Sequence, residues 1–357
     1  MKKFYKNNKQ ETYLIFTMVL IAVLIGVKNP VFFTASNFAG IIRNLIIDGM
    51  MAYAIMLGII IGGIDVSFPA IAVCSMYITN RFAESVDYTG PVILLFVMAM
   101  GIGLILGLIN GFLITRFKLP AFVVTLGTSS AFYGLLISVL GGSQVNRLVE
   151  PLEKVSKFRL WVVTSGNSQT IIPVTFIFMV LIMGVTWFIL NKTMLGRMIY
   201  AIGGDRTAAE RVGFPVNKIT VFVYAYIGLI SGLAGLSHSI QSRACIPTDL
   251  MGCEMTIIAM VVLGGTKISG GRGTVFGTFL GLFLITMVES CLILVGIPST
   301  WQTLVIGVVI VVGTGISSYQ VLKDQKKIAP VLEKDESGAD YMEKRNRIKK
   351  IMDENSE

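Results

Sequence analysis

The chain has 357 residues, of which 54% are hydrophobic and 14% are charged, with a formal net charge of +9 and a mean hydropathy of +0.75. Soluble domains carry about 25% charged residues, so this composition excludes a soluble enzyme and indicates an integral membrane protein. The cations are separated by apolar runs and form no aromatic-studded stripe, so we expect no nucleic-acid partner.

Ten apolar segments follow one another along the chain as candidates for membrane-spanning helices. They are residues 13–27, 45–62, 66–80, 91–115, 121–141, 171–190, 218–240, 254–265, 274–295 and 301–319. Segments 66–80 and 254–265 are short and flanked by glycine, and such segments are tolerated at membrane depth only where protein or a cavity covers their backbone. We predict an all-α polytopic membrane protein with about ten transmembrane helices and an internal inverted repeat.

The distribution of Lys and Arg predicts the orientation of these helices. Ten spans place both termini on one side, whose loops hold thirteen basic residues before the tail, against eight in the loops of the other side. Those eight are Lys28, Arg43, Arg81, Arg147, Lys154, Lys157, Arg159 and Arg243. Because cytoplasmic loops carry the excess of cations, we predict a cytoplasmic N-terminus (1–12), a transmembrane domain (13–322) and a polar cytoplasmic tail (323–357).

A short helix is predicted within the longest cytoplasmic loop, in the sequence "GGDRTAAERVG" (203–213). Asp205 follows two glycines as an N-cap, and Gly213 is placed to end the helix. A helix of about two turns is not stable alone. It therefore docks on a cytoplasmic protein or lies on the membrane surface, and spacing alone leaves both open. The residues of this candidate docking segment are Gly203, Gly204, Asp205, Ala208, Ala209, Glu210 and Gly213.

Acidic residues within the spans are the candidates for a solute pathway, since a charge in the bilayer is costly and usually faces a cavity or a partner. The candidates are Asp48, Asp65, Glu254 and Glu289, together with Asn44 and Thr125. Hydrogen bonding between helices is the alternative for Asp48 and Glu289, and capping or turn formation is the alternative for Asp65.

No catalytic or metal site is predicted. The four cysteines form no CxxC pair, and the single histidine, His238, has no obvious carboxylate neighbour. Cys245 and Cys253 share a short loop and could pair, although free thiols are favoured. Glycines recur at three- to four-residue spacing within 101–111 and 228–235, which predicts close approach of helices.

The stretch "GGTKISGGRGTVFG" (264–277) is similar to a nucleotide-binding loop but fails both strict patterns. A P-loop requires Gly-Lys-Ser/Thr, whereas Lys267 follows Thr266. The glycines at 271, 273 and 277 are one residue too far apart for a dinucleotide-binding fingerprint.

Four motifs in order resemble those of ribose-type ABC sugar-importer permeases, within the branched-chain amino acid/ribose permease superfamily. They are "GGIDVS" (62–67), "NGFLITRFKLPAFVVTLGT" (110–128), "GRMIYAIGGDRTAAERVGF" (196–214) and "EMTIIAMVVLGGTKISGGRGTVFGTFLG" (254–281). The segment "WQTLVIGVVIV" (301–311) is similar to the last span of that family. The resemblance covers about residues 35–315.

The resemblance implies a permease subunit, not an enzyme, in the bacterial cytoplasmic (inner) membrane. It implies a second permease subunit, identical or not, a cytoplasmic ABC ATPase and an extracytoplasmic solute-binding protein. The chain would need no cofactor, because the ATPase binds ATP. The 203–213 helix would then dock on the ATPase. The glycine stretch would be a tight cytoplasmic turn formed by Gly264, Gly265, Lys267, Gly270, Gly271, Arg272 and Gly273.

The expected solute is a monosaccharide such as ribose, and three departures from the family pattern bear on it. Phe68-Pro69-Ala70 replaces Val-Gly-Ser, Asp48 and Glu289 stand where asparagine is common, and Thr256 replaces an aspartate. Additional acids favour a cationic or hydroxyl-rich solute. Import of a nucleoside or a quorum signal is the alternative, and a stand-alone secondary transporter with a proton site at Asp48 or Glu289 is a third interpretation.

Overall fold

The computed structural model describes residues 9–165 and 168–298, and scattered residues between 301 and 315. Most of the predicted span 301–319 therefore lies outside the described residues. All of the predicted tail 323–357 and residues 1–8 of the N-terminus lie outside them as well. The helices are α1 (Lys9–Lys28), α2 (Ala35–Ile60), α3 (Phe68–Ser85), α4 (Val92–Phe117), α5 (Ala121–Leu140), α6 (Glu150–Lys157), α7 (Thr175–Lys192), α8 (Met194–Gly204), α9 (Arg206–Arg211), α10 (Val216–Ser242), α11 (Glu254–Leu263) and α12 (Val275–Leu292).

Seven of the helices in the described part are long and apolar enough to cross a membrane, namely α1, α2, α4, α5, α7, α10 and α12. Each corresponds to a predicted span. The remaining predicted spans in the described part are α3, which is largely buried, and α11, which has only 10 residues. The multi-pass helical architecture is thus confirmed, while the count of ten and the orientation stay predictions.

Helix α2 begins ten residues before the predicted span. The polar residues Asn37, Arg43 and Asn44 lower the hydropathy of its first turns, yet the helix continues through them. The side chain of Thr34 caps it by accepting a hydrogen bond from the Asn37 N–H. At 26 residues, α2 extends about 39 Å, which exceeds the hydrocarbon thickness of about 30 Å.

Helices α2 and α10 form the centre of the bundle, and most of their residues are buried. Helix α10 packs most extensively against α4, and glycines make that contact possible. A Cβ atom on Gly103 would collide with the carbonyl oxygen of Gly228, and one on Gly107 would collide with that of Tyr224. The predicted close approach of helices is confirmed here, because the backbone of each helix lies where a side chain on the other helix would be.

An antiparallel hairpin, β1 (Arg159–Ser165) and β2 (Ser168–Pro173), follows the short helix α6. Sequence reasoning assigned this stretch to a loop and to the start of a span at 171, which is wrong, since α7 begins at Thr175. Ile171 and Ile172 pair with Val162 and Trp161 across the hairpin. The hydroxyl groups of Ser36 and Thr170, 2.6 Å apart, join the hairpin to the first turn of α2.

Candidate functional site

The candidate docking segment folds as the sequence predicts around its N-cap. Asp205 separates α8 from α9, and its Oδ1 accepts hydrogen bonds from the Thr207 hydroxyl at 2.7 Å and the Ala208 N–H at 3.0 Å. The bond from Thr207 and then that from Ala208 lower the pKa of the Asp205 carboxyl. Gly213, with a φ of 89°, lies just beyond the end of α9, where a left-handed conformation favours glycine.

The two alanines of α9 face opposite environments. Ala209 is 4% exposed and packs into the core of this chain, whereas Ala208 is exposed. Val212, at 73% exposed, lies one turn after Ala208 and extends the exposed surface with an apolar side chain. The exposed surface of α9 and its C-cap therefore includes Ala208 and Val212, and Ala209 instead holds the helix to its own chain.

The predicted docking segment, the glycine stretch and the end of α2 meet at one junction. The Gly271 N–H donates to the Ile60 carbonyl at 2.8 Å. A Cβ atom on Gly203 would collide with that same carbonyl oxygen. The Tyr200 hydroxyl donates to the Gly273 carbonyl at 2.8 Å. Burial raises the pKa of the Tyr200 hydroxyl. We call Ile60, Gly203, Gly270, Gly271 and their contacts the glycine junction.

The glycine stretch itself is a tight turn. The Lys267 N–H donates to the Arg272 carbonyl at 3.0 Å, and the Gly270 N–H donates to the Lys267 carbonyl at 2.9 Å. Gly270 and Gly271 have φ values of 87° and 75°, which residues with a side chain rarely adopt. This backbone is closed on itself and packed against Gly203, which gives its glycines a packing role.

Four of the six pathway candidates lie together in the half of the bundle away from the glycine junction. Asn44 Nδ2 donates to the Ser290 hydroxyl at 3.2 Å, beside Glu289 on α12. Asp48, one turn further along α2, lies within electrostatic range of Glu289, and Cys253 lies within range of both Asp48 and Glu254. We call Asn44, Asp48, Glu254 and Glu289 the acid cluster; all four are at least partly accessible.

The other two candidates, Asp65 and Thr125, belong to a fully buried polar cluster. Asp65 Oδ1 accepts from the Ser67 N–H at 2.7 Å and from its hydroxyl at 2.6 Å. Asn110 Nδ2 donates to that hydroxyl at 2.7 Å, and Thr125 Oγ1 accepts from the Val66 N–H at 3.2 Å.

Sequence reasoning missed Ser67 and Asn110 as members of this buried cluster. Both stand within motifs that carry the family resemblance, and an asparagine inside an apolar helix is the signal that could have found Asn110. The cluster joins the segment between α2 and α3 to α4 and α5, so its position favours a structural role for Asp65 over solute contact.

His238 has a carboxylate neighbour, contrary to the sequence-based expectation. Its Nε2 lies 3.3 Å from Asp249 Oδ2, in the loop after α10, eleven residues further along the chain. No helical or strand period indicates such a contact, so spacing could not predict it. Cys245 and Cys253 are both free, and Cys245 pairs through its backbone with Val145.

Comparisons with known proteins agree with the motifs. The family model described as "Branched-chain amino acid transport system / permease component" matches residues 37–313. A ribose import permease protein of Bacillus subtilis is 34% identical over 314 residues, covering 87% of this chain and 92% of that protein. One from Haemophilus influenzae is 31% identical, covering 85% of this chain and 91% of that protein.

A second kind of relative is an autoinducer 2 import system permease protein of Yersinia pestis. It is 32% identical over 311 residues, covering 87% of this chain and 85% of that protein. No solved structure matches the chain. The similarity to both kinds of permease extends over nearly all of the described residues.

Proposed function

The chain belongs to the family of branched-chain amino acid transport system permease components, and we propose that it is the permease subunit of an ATP-driven ABC importer for a monosaccharide. It is a multi-pass protein of the bacterial inner membrane. In this proposal a separate cytoplasmic ABC ATPase binds and hydrolyses ATP. An extracytoplasmic solute-binding protein delivers the solute, and a second permease subunit completes the pathway.

The glycine junction is the observation that carries this proposal. It links α8, which leads into α9 through Asp205, by direct backbone contact to the end of α2, the central helix whose other half holds Asn44 and Asp48. A force applied to the exposed face of α9 reaches α2 without passing through a flexible side chain. Rigid elements in contact carry coupling between distant sites, which is what an importer driven by an external ATPase needs.

The acid cluster supports a hydroxyl-rich solute. Carboxylates and amides accept hydrogen bonds from hydroxyl groups, and charge-assisted hydrogen bonds are about twice as strong as neutral ones. The cluster stands between α2, α11 and α12, at the half of the bundle away from the glycine junction. Ribose and similar monosaccharides offer several hydroxyl donors to such a surface.

Autoinducer 2 is the second candidate solute, because the permease of Yersinia pestis that imports it is about as similar to this chain as the ribose permeases are. The acid cluster does not separate the two candidates. The two solutes are distinguished by measuring the uptake of each one with and without unlabelled ribose as a competitor. Uptake that unlabelled ribose abolishes identifies the monosaccharide importer.

Co-purification from gently solubilised membranes tests the proposed assembly. We expect an ATPase and a solute-binding protein to accompany the chain, and uptake into proteoliposomes to require ATP. A chain that purifies alone, and whose uptake proceeds without ATP and collapses with an uncoupler, is a secondary transporter. Asp48 and Glu289 would then be the proton-site candidates.

A further inference from the structure

A cavity of about 410 Å³ lies at the end of the bundle away from the glycine junction. Its wall is formed by the end of α6, the hairpin, the first half of α2 and the end of α10. Gln241 Nε2 donates to the Arg43 carbonyl at 2.9 Å, which fixes the end of α10 against α2. Four basic side chains line this cavity: Arg43, Lys157, Arg159 and Arg243.

The cavity has an excess of positive charge. Among the described residues that line it, none is acidic. Lys157 is paired with Glu153 at 2.6 Å, and the hydrogen bond and charge of Lys157 lower the pKa of Glu153, with smaller effects from Arg147 and Arg243. The ion pairs found in the described part of the chain include none of the three lining arginines. Three arginines therefore line the cavity with no carboxylate of the described residues at ion-pair distance.

The position of these cations runs against the usual charge bias. The four lining residues are half of the eight basic residues that the sequence places outside the cytoplasm. Two others of the eight, Arg81 and Lys154, are paired with Glu84 and Glu150. Since positive charge is disfavoured on the predicted outer side, a group of arginines without an ion pair among the described residues indicates a ligand of opposite charge.

The hairpin next to the cavity exposes large apolar side chains. Trp161 of β1 is 69% exposed, and Phe158, the residue just before β1, is 58% exposed. Leu160 is exposed as well. Tryptophan is typical of the membrane–water interface, where its ring lies at headgroup depth. Strand β2 ends at Pro173 and the spanning helix α7 begins at Thr175, so the hairpin leads directly into a membrane span.

We propose that this cavity binds the phosphate headgroup of an anionic membrane phospholipid, with Phe158 and Trp161 inserted into the adjacent interface. Arginine binds phosphate through two parallel hydrogen bonds, and basic pockets between membrane helices bind lipid headgroups. The anion is not the transported solute, because Asp48 lies only five residues beyond Arg43 on α2, in an acid cluster that repels anions. The site is additional to the proposed transport function and does not depend on it.

Lipid retention by the purified full chain tests the proposal. The protein is exchanged into detergent micelles that contain phosphatidylglycerol or phosphatidylcholine, and bound lipid and thermal unfolding are measured. We expect preferential retention of phosphatidylglycerol, a higher Tm with it, and a loss of about tenfold in that preference for the double variant Arg43→Gln/Arg159→Gln. Lys154→Gln is the matched control, since Lys154 lies in the same loop but outside the cavity.

Two results would overturn the proposal. Inorganic phosphate alone, at the concentration of the lipid, could reproduce the Tm increase, which would identify a soluble anion as the ligand. Equal retention of both lipids by the parent chain would mean that the arginines do not select an anionic lipid, and an acidic protein partner would be the alternative ligand.

Trp161 provides a measurement that does not depend on the arginine variants. In a chain with Trp187→Phe and Trp301→Phe, Trp161 is the sole tryptophan of the sequence. We expect brominated lipids in nanodiscs to quench its fluorescence strongly and aqueous iodide to quench it weakly. The reverse order would show that the hairpin stands in water, and the proposal would be wrong.

Discussion

The two ends of the helical bundle differ in what fills the space between their helices. At the glycine junction, backbone meets backbone: Gly203 lies against the Ile60 carbonyl, and Gly271 donates a hydrogen bond to it. At the opposite end, α2 instead lies beside partly accessible acids and borders a cavity of about 410 Å³. The first end has the close backbone contact that the proposed coupling needs, and the second contains the proposed solute and lipid sites.

The largest effect is expected where two spanning helices touch. Gly103→Val places a side chain against the Gly228 carbonyl and must separate α4 from α10. Overpacking of this kind costs about 1–3 kcal/mol or more. Gly101→Val is the control on the same helix, because a Cβ atom there meets nothing within 4 Å. We expect Gly103→Val to lower the Tm in detergent sharply and Gly101→Val to change it little; equal effects would contradict the packing described for α4 and α10.

The next effect is expected at the glycine junction. Gly203→Ala drives a methyl group into the Ile60 carbonyl, whereas Gly204→Ala meets nothing within 4 Å. We expect the first variant to reach the membrane but to lose about tenfold in ATP-driven uptake, and the second to remain near the parent rate. Uptake in proteoliposomes and the amount of inserted protein are the measurements. Normal uptake by Gly203→Ala would remove the junction from the coupling mechanism.

A smaller effect is expected at the acid cluster. Asp48→Asn and Glu289→Gln each replace a charged acceptor with a neutral one, and a hydrogen bond to a charged group contributes about 1.5–3 kcal/mol. Uptake at limiting solute should fall about tenfold for each variant, with Glu84→Gln, on the surface beside Arg81, as the control. Unchanged uptake by both variants would mean that these acids only hold helices together.

The smallest effect is expected for Tyr200→Phe. This change removes one hydrogen bond to the Gly273 carbonyl, worth about 1 kcal/mol, without altering the glycine contacts. The Tm should fall by a few degrees while uptake continues. Tyr133→Phe is the control, since the Tyr133 hydroxyl makes no hydrogen bond to any of the described residues. A complete loss of uptake in Tyr200→Phe would place the coupling in this one bond.

Local signals in the sequence predicted much of this structure. The N-cap at Asp205, the left-handed Gly213 and the contact between the glycines of α4 and α10 each depend on a few neighbouring residues or on one helical period. Those features survive in any tertiary context that keeps the helix. The segment 264–277 forms the tight turn that the sequence predicts, and the expectation that it binds no nucleotide stays a prediction from its spacing.

Features that depend on distant residues were not predictable. The hairpin was missed because Ile171 and Ile172 continue into the apolar run of α7, so hydropathy merges a strand with a helix. Turn residues between β-branched runs were the available signal. The pairing of His238 with Asp249 and the division of the pathway candidates into two clusters arise from loop paths and helix rotation. Neither the pairing nor the division produces a helical or strand periodicity in the sequence.

The most direct test of the account is the ratio of ATP hydrolysed to solute taken up by the reconstituted importer that carries Ala208→Arg. This residue is exposed on α9, while Ala209 is buried and would report on folding. If α9 transmits the work of the ATPase through the glycine junction, uptake falls strongly, the protein still inserts, and the ratio rises well above that of the parent chain. An unchanged ratio and uptake would contradict that role.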